Sequence, residues 1–164
     1  MIKIEKVTLN IGVGVSGEKL EAAKTLLQRL SGQKPIETKA KDRIPTWNLR
    51  PGLPIGTKVT LRGKRAVEIL NRCLDSVERK LKASSFDTSG NFAFGVREYI
   101  DIPGIKYDPK IGMFGLDVIV TLEKPGFRIK RRKIAPRSIP TRHRITKTES
   151  IDFVSKDLRV EILS

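Results

Sequence analysis

Residues 6 to 11 read Lys-Val-Thr-Leu-Asn-Ile, and residues 58 to 62 read Lys-Val-Thr-Leu-Arg. In both stretches apolar and polar side chains alternate one by one, and an extended strand sends the two kinds to opposite faces. Val7, Leu9, Ile11, Val59 and Leu61 are therefore expected in a core. Lys6, Thr8, Asn10, Lys58, Thr60 and Arg62 are expected on the other side. A sheet with both faces buried reads as a continuous apolar run instead, so these strands belong to a sheet that helices cover on one face only.

The covering helices are legible too. Leu20, Ala23, Leu27 and Leu30 recur at three- and four-residue steps, which predicts an amphipathic helix of about 14 residues with Gly32 as a left-handed cap. Val67, Leu70, Leu74, Val77 and Leu81 predict a second helix, which stops in the polar segment from Ser84 to Gly90. Strands are expected at Ile2–Ile11, Pro35–Thr38, Ile55–Arg62, Phe92–Ile100 and Leu116–Leu122. Thr146 followed by Glu149 matches a capping box and opens a last helix, and Val160 with Ile162 suggests a closing strand. The expected fold class is α+β: a largely antiparallel sheet with helices packed on one face, plus a basic extension. The chain's 164 residues fit a single domain over residues 1–164.

Two segments fall outside this framework. Pro45, Pro51, Gly52 and Pro54 forbid a helix or central strand, so about 39–54 reads as a long loop, and such loops are usually functional. Lys124 to Lys147 holds ten Lys or Arg and no acid, broken by Pro125, Pro136 and Pro140. It reads as a basic arm over about 124–146, an extension and not a core element.

Charge narrows the function. Lys and Arg number 33 against 18 Asp and Glu, a formal net charge of +15. That much self-repulsion is ordinarily tolerated for a polyanionic partner, foremost nucleic acid. A membrane surface is the rival polyanion, but neither a basic amphipathic helix nor a lipid-anchor pattern is present. No apolar run approaches a signal core or a membrane span, and the lone Cys73 cannot form an internal disulfide, so a reducing cytoplasmic setting is expected. One histidine, His143, and one distant cysteine give no metal cluster and no nucleophile–base pair. No metal and no cofactor are expected, and His143 reads as one more polar group facing a nucleic-acid backbone.

One motif argues the other way. Gly12-Val13-Gly14-Val15-Ser16-Gly17 matches the dinucleotide-binding fingerprint between a strand and a helix, with Glu37 about 20 residues on. A nicotinamide-dependent enzyme is the reading it suggests. The strand holding Glu37 is followed by a proline-rich loop and another strand, however, where a doubly wound fold needs a crossover helix. The remaining readings are a tight turn with a close backbone approach, or a phosphate contact at a helix start.

The favoured site is the polar face of the strands. Thr8, Asn10, Lys58, Thr60 and Arg62 offer hydroxyls, an amide and cations, the groups that meet phosphates, 2′-hydroxyls and base edges of folded RNA. Paired aromatics for stacking splayed bases are missing there. The loop sets Lys39, Lys41, Arg43 and Arg50 around Trp47, whose indole either stacks on a nucleotide or folds back as an anchor. In the arm, Arg128, Lys130, Arg131, Arg132, Lys133, Arg137, Arg142 and Arg144 have no acid within the run to balance them, and the arm resembles the extensions that thread into ribosomal RNA. A general DNA-binding protein shares the charge and remains the alternative without RNA preference.

Longer motifs carry a family resemblance. Leu9-Asn10-Ile11-Gly12-Val13-Gly14, Ser31-Gly32-Gln33-Lys34-Pro35, Thr38-Lys39-Ala40-Lys41 and Pro54 through Gly63 closely resemble the large-subunit ribosomal protein five family. Gly90 through Gly95, Tyr107-Asp108-Pro109 and Ile111 through Asp117 continue the likeness, and Arg137 through Arg144 resembles its archaeal branch. The resemblance implies a structural protein that binds 5S ribosomal RNA and anchors it to large-subunit ribosomal RNA in the central protuberance. It implies 5S contacts at Asn10, Gln33 and Thr60, with Lys58 and Arg62 nearby, and a loop from Ala40 to Thr57 reaching peptidyl-site transfer RNA. It further implies a contact with small-subunit ribosomal protein thirteen across the subunit interface.

Overall fold

A computed structural model describes residues 1–163. The first strand, β1 (Lys3–Gly12), leads into helix α1 (Glu18–Ser31), followed by strands β2 (Ile36–Lys39) and β3 (Pro54–Leu61). Helix α2 (Lys64–Ser76) precedes β4 (Lys80–Lys82), β5 (Phe92–Val96) and β6 (Leu116–Glu123). The short helix α3 (Arg128–Arg131), helix α4 (Lys147–Asp157) and strand β7 (Glu161–Leu163) complete the chain. Five strands form one antiparallel sheet in the order β2-β3-β1-β6-β5, while β4 and β7 make a separate parallel pair.

The alternation in the sequence fixes which face is covered. Val7, Leu9, Ile11, Val59 and Leu61 are all buried, as are Val118, Val120, Phe92 and Phe94 from the other half of the sheet. Helices α1 and α2 pack on this side. In α1 the stripe Leu20, Ala23, Leu27 and Leu30 is buried together with Leu26. Gly32 adopts a left-handed φ of 65° and its amide donates to the Gln28 carbonyl at 2.8 Å, so the helix ends where a Cβ becomes unfavourable.

Helix α2 is shorter than its periodicity predicts. It ends at Ser76, because Glu78 and Arg79 take left-handed φ values of 55° and 54° and reverse the chain. The turn is held from several sides: the Arg79 amide donates to the Leu74 carbonyl at 2.9 Å, and its guanidinium donates to Asp75 and to the Leu158 carbonyl. Leu81 is buried as expected but arrives as the centre of β4, paired with Ile162. The inward face of α2 is Ala66, Ile69, Leu70, Cys73 and Leu74, leaving Val67 exposed. Likewise β5 stops at Val96, and Tyr99–Asp101 forms a 3-10 turn in place of a longer strand.

The capping box of α4 is formed: Thr146 Oγ1 accepts from the Glu149 amide, and the Glu149 carboxylate accepts from the Thr146 amide at 3.0 Å. This helix docks through buried Ser150, whose hydroxyl donates to the Gly90 carbonyl at 2.7 Å. A Cβ at Gly90 would sit 2.4 Å from Ile145 Cγ2, so only glycine lets the segment before α4 close on the sheet.

Candidate nucleic-acid interface

Opposite the helices, the register assembles the polar face. Thr8 pairs with Thr60 and Asn10 with Lys58 across β1 and β3. On the other flank Thr8 meets Ile119 and Asn10 meets Asp117 across β1 and β6. Partners in register point the same way, so Thr8, Asn10, Lys58 and Thr60 form a compact patch, with Arg62 just beyond the end of β3. Lys58, Thr60 and Arg62 are exposed, and Thr8 and Asn10 are half-buried by their neighbours. No helix covers them.

Three features of this face were not anticipated. Asp117 stands on it beside Asn10, whose amide lies 3.5 Å from the carboxylate, a long contact. Ile36 on β2 pairs with Lys58 and is 66% exposed, which puts an apolar side chain at the platform's rim. Thr121, paired with Lys6, extends the face towards the basic segment. The same period-two count applied to β6 would have found Asp117, Ile119 and Thr121. Gln33 lies elsewhere, in the turn between α1 and β2, where Ser31 Oγ accepts from its amide at 3.2 Å.

At the lower end of the sheet, a bulge between Ile4 and Lys6 sets Glu5 out of the ladder. Glu5 there receives Arg62 at 3.3 Å and also Arg131, which in turn pairs with Glu123. Arg62 and Arg131 are thus partly neutralised within the protein, whereas Lys58 has no acidic partner among the described residues.

These ion pairs also correct the expected basic arm. The segment from 124 to 146 is folded back on the molecule and not free: it contains α3, and Ile139 and Ile145 are buried. Lys124 binds the Glu149 carboxylate at 2.8 Å, Arg132 Nε donates to the Ala135 carbonyl, and the Arg137 amide donates to the Ile129 carbonyl. Acids distant in sequence supply the counter-charge that the segment itself lacks. Arg128, Lys130, Lys133, Arg137, Arg142 and Arg144 remain outside the core, their cationic ends paired with no acid among the described residues. His143 is a brace: its Nε2 donates to the Pro125 carbonyl at 2.8 Å and its ring leans on Phe127.

The long loop carries a short 3-10 turn over Pro45–Trp47, closed by a bridge between Ile44 and Leu49. Trp47 is 69% exposed at its tip, which excludes the folded-back anchor. Lys41, Arg43 and Arg50 are exposed around it. Ala40 and Leu49 are buried and tie the base of the loop to the body.

The glycine motif is a turn. The Val13 and Gly14 amides donate to the Ile55 carbonyl at 3.0 and 2.8 Å, and no atom lies within 4 Å of a Cβ built on Gly12, Gly14 or Gly17. The close backbone approach is made by Gly12 against Gly56 of β3, where a Cβ on Gly56 would meet the Ile11 carbonyl at 2.9 Å and Gly12 Cα at 3.6 Å. Glu18 and Glu21 occupy the first turn of α1 and repel an approaching phosphate. β1 and β3 are antiparallel neighbours, which removes the parallel strand–helix–strand unit a dinucleotide site requires.

Among the described residues no group of three or more His, Cys, Asp or Glu is placed to hold a metal, and no helix is long and apolar enough to cross a membrane. Burial pushes the Cys73 thiol up to about 12, so it remains protonated and serves as core packing.

Fold and surface together define a small basic α+β protein with one sheet face roofed by helices and the other left polar and open. Comparison with known proteins agrees. The family description "Ribosomal protein L5" matches residues 1–50, and the description of the C-terminus of the same ribosomal family matches residues 54–153. A Nanoarchaeum equitans protein named large ribosomal subunit protein uL5 is 56% identical over 163 residues, covering 99% of this chain and 96% of the relative. Proteins of the same name from Sulfurisphaera tokodaii and Methanosphaera stadtmanae are 51% and 49% identical, covering 99% and 97% of this chain and 92% and 95% of theirs. The chain belongs to the ribosomal protein L5 family. Both matched segments contribute to the one sheet, β1 and β2 from the first and β3, β5 and β6 from the second.

Proposed function

We propose that this chain is a structural constituent of the large ribosomal subunit that binds 5S ribosomal RNA through its open sheet face and holds it against large-subunit ribosomal RNA in the central protuberance. The observation that carries the reading is the register that sets Thr8 beside Thr60 and Asn10 beside Lys58 on a face without a helix. Four polar side chains on a rigid sheet suit the shape-based recognition of folded RNA, in which hydroxyls and amides meet 2′-hydroxyls and base edges while cations meet phosphates. Membership of a family whose named relatives are large-subunit proteins supports it. The role is that of a scaffold in the cytoplasmic ribosome and not of a catalyst.

Around this platform the remaining groups take secondary parts. Gln33 borders the 5S contact from the α1–β2 turn. Lys41, Arg43, Trp47 and Arg50 face peptidyl-site transfer RNA, with the exposed indole available for stacking. Arg128, Lys130, Lys133, Arg137, Arg142 and Arg144 meet ribosomal RNA, and Arg131 and Arg132 hold the segment in shape while adding to its field. A contact with small-subunit ribosomal protein thirteen completes the set of partners.

A gel shift with 5S ribosomal RNA over a salt series tests the reading. Affinity should fall steeply as salt rises, because each phosphate neutralised releases counterions. Equal binding of random duplex DNA, or affinity indifferent to salt, would count decisively against it.

A further inference from the structure

Where the basic segment folds back, it leaves a cleft of about 610 Å³ against the lower end of the open sheet face. That volume lies inside the range of roughly 300–1,000 Å³ typical of small-ligand pockets. Its apolar lining is half-buried Phe127 together with the largely buried Leu122, Ile139 and Ile145. The lining also includes Lys6 and Thr121, partners in register and the next row of the same face that carries Thr8 and Asn10. Lys130, Ser138 and Arg144 line the rim.

Five of the polar side chains here are uncommitted. Neither Lys6, Thr121, Lys130 nor Ser138 has a side-chain hydrogen bond or ion pair among the described residues, and the Arg144 guanidinium is equally free. The one acid in the lining, Glu5, is already engaged by Arg62 and Arg131 and so opposes an anion only weakly. An apolar lining, convergent hydroxyls and a cationic rim together match one chemical object: a planar base joined to a phosphate. A neutral protein segment with the same apolar surface has no use for three unpaired cations, and continuity with the polar sheet face favours a nucleotide over an acidic one.

We propose that this cleft receives a single unstacked nucleotide of the RNA strand lying on the sheet, its base against Phe127, Ile139 and Ile145, its edge near Thr121 and Ser138, and its phosphate at Lys130 and Arg144. This rests on the RNA-binding reading above and deepens it. Continuity with the platform is the reason the occupant belongs to that strand and not to a free nucleotide. The platform reads the shape of a folded RNA, and the cleft then selects one with an extruded base at a fixed distance from it. The cost of unstacking is smallest for a base already bulged or unpaired, so the cleft favours such a site.

The test compares the full-length protein with Ser138→Phe, which fills the cleft from its exposed rim, and with Thr121→Val, which removes one hydroxyl at constant shape. Each is mixed with 5S ribosomal RNA and probed with base-specific modifying reagents, with circular dichroism as the fold check. The expected result is at least one unpaired base protected by the unaltered protein and reactive again with Ser138→Phe. Affinity should fall about tenfold, the loss of one stacked base, with a smaller loss for Thr121→Val. An unchanged footprint and affinity in both variants overturns the cleft proposal alone, because the unaltered protein still binds. Failure of the unaltered protein to bind 5S RNA overturns both readings. Titration with adenosine monophosphate, followed by amide chemical shifts, separates the sources: millimolar shifts confined to the cleft support a strand nucleotide, and micromolar binding overturns it in favour of a free one.

Discussion

The sheet face and the folded-back basic segment are both polar and cationic, but they hold their charges in different ways. On the sheet, Lys58 and Thr60 are placed by a backbone ladder, and Lys58 has no acidic partner among the described residues. In the basic segment, Lys124 and Arg131 are engaged by Glu149, Glu5 and Glu123. The denser run of charge is therefore only partly available, since Lys124 and Arg131 are taken up within the protein. Some of its cations maintain the segment's own shape, while the sheet obtains its geometry from backbone hydrogen bonds and leaves Lys58 and Thr60 free.

The largest effect expected from probing this contrast is on the opposite side of the sheet. Leu9→Ala removes a fully buried side chain from β1 and should destabilise the protein by about 2–5 kcal/mol in urea unfolding. Thr60→Ala, on the face turned away from that core, should change stability by no more than about 0.5 kcal/mol. Its 5S affinity should nevertheless drop, as should that of Asn10→Ala. Unfolding of either platform variant would show that the two faces are not independent.

Lys58→Ala should lower 5S affinity and reduce the slope of log affinity against log salt by about 1, the signature of one lost phosphate contact. Arg131→Ala should have a smaller effect on affinity than Arg144→Ala, measured by the same gel shift, because Arg131 faces Glu5 and Glu123. Its cost in stability should be about 1 kcal/mol or less, as for exposed ion pairs. Equal affinity losses for the two arginines would erase the distinction between shaping and binding cations.

The smallest effect is on pH. The Lys124 ammonium, followed by the Thr146 amide, holds the Glu149 carboxyl below the usual carboxylate value. A depressed folded-state value means the stabilisation is fully present above the unfolded carboxylate pKa and is lost as pH falls through the folded one. Glu149→Gln should therefore lower the melting temperature near neutral pH and flatten its decline in acid. A decline identical to that of the unaltered protein would remove this pair from the account.

Much of the fold was legible because burial on one face writes a period into the sequence. β1, β3 and α1 follow from alternation and from three- and four-residue steps, and Gly32 marks the end of α1. The early end of α2 was not legible: Glu78 and Arg79 turn left-handed with neither glycine nor proline to announce it, and Leu81 is buried in a helix or a strand alike. Thr8, Asn10, Lys58 and Thr60 share a face as their spacing implies, but Asp117 reaches it from a strand far along the chain. The folding back of the basic segment was hidden for the same reason, since its acids lie at Glu5, Glu123 and Glu149. Local pattern predicts elements, whereas partners brought together by topology have no local trace.

The central place of β1 has a consequence for biogenesis. Its two neighbours are β3, which ends at Leu61, and β6, which ends at Glu123, so the strand made first waits for both before its ladder is complete. Such distant pairings are slow to form because the intervening chain must be ordered before any contact rewards it. The polar patch itself needs only β1 and β3, so all of its residues are synthesised by Leu61, whereas the second flank of β1 is closed only once β6 has emerged.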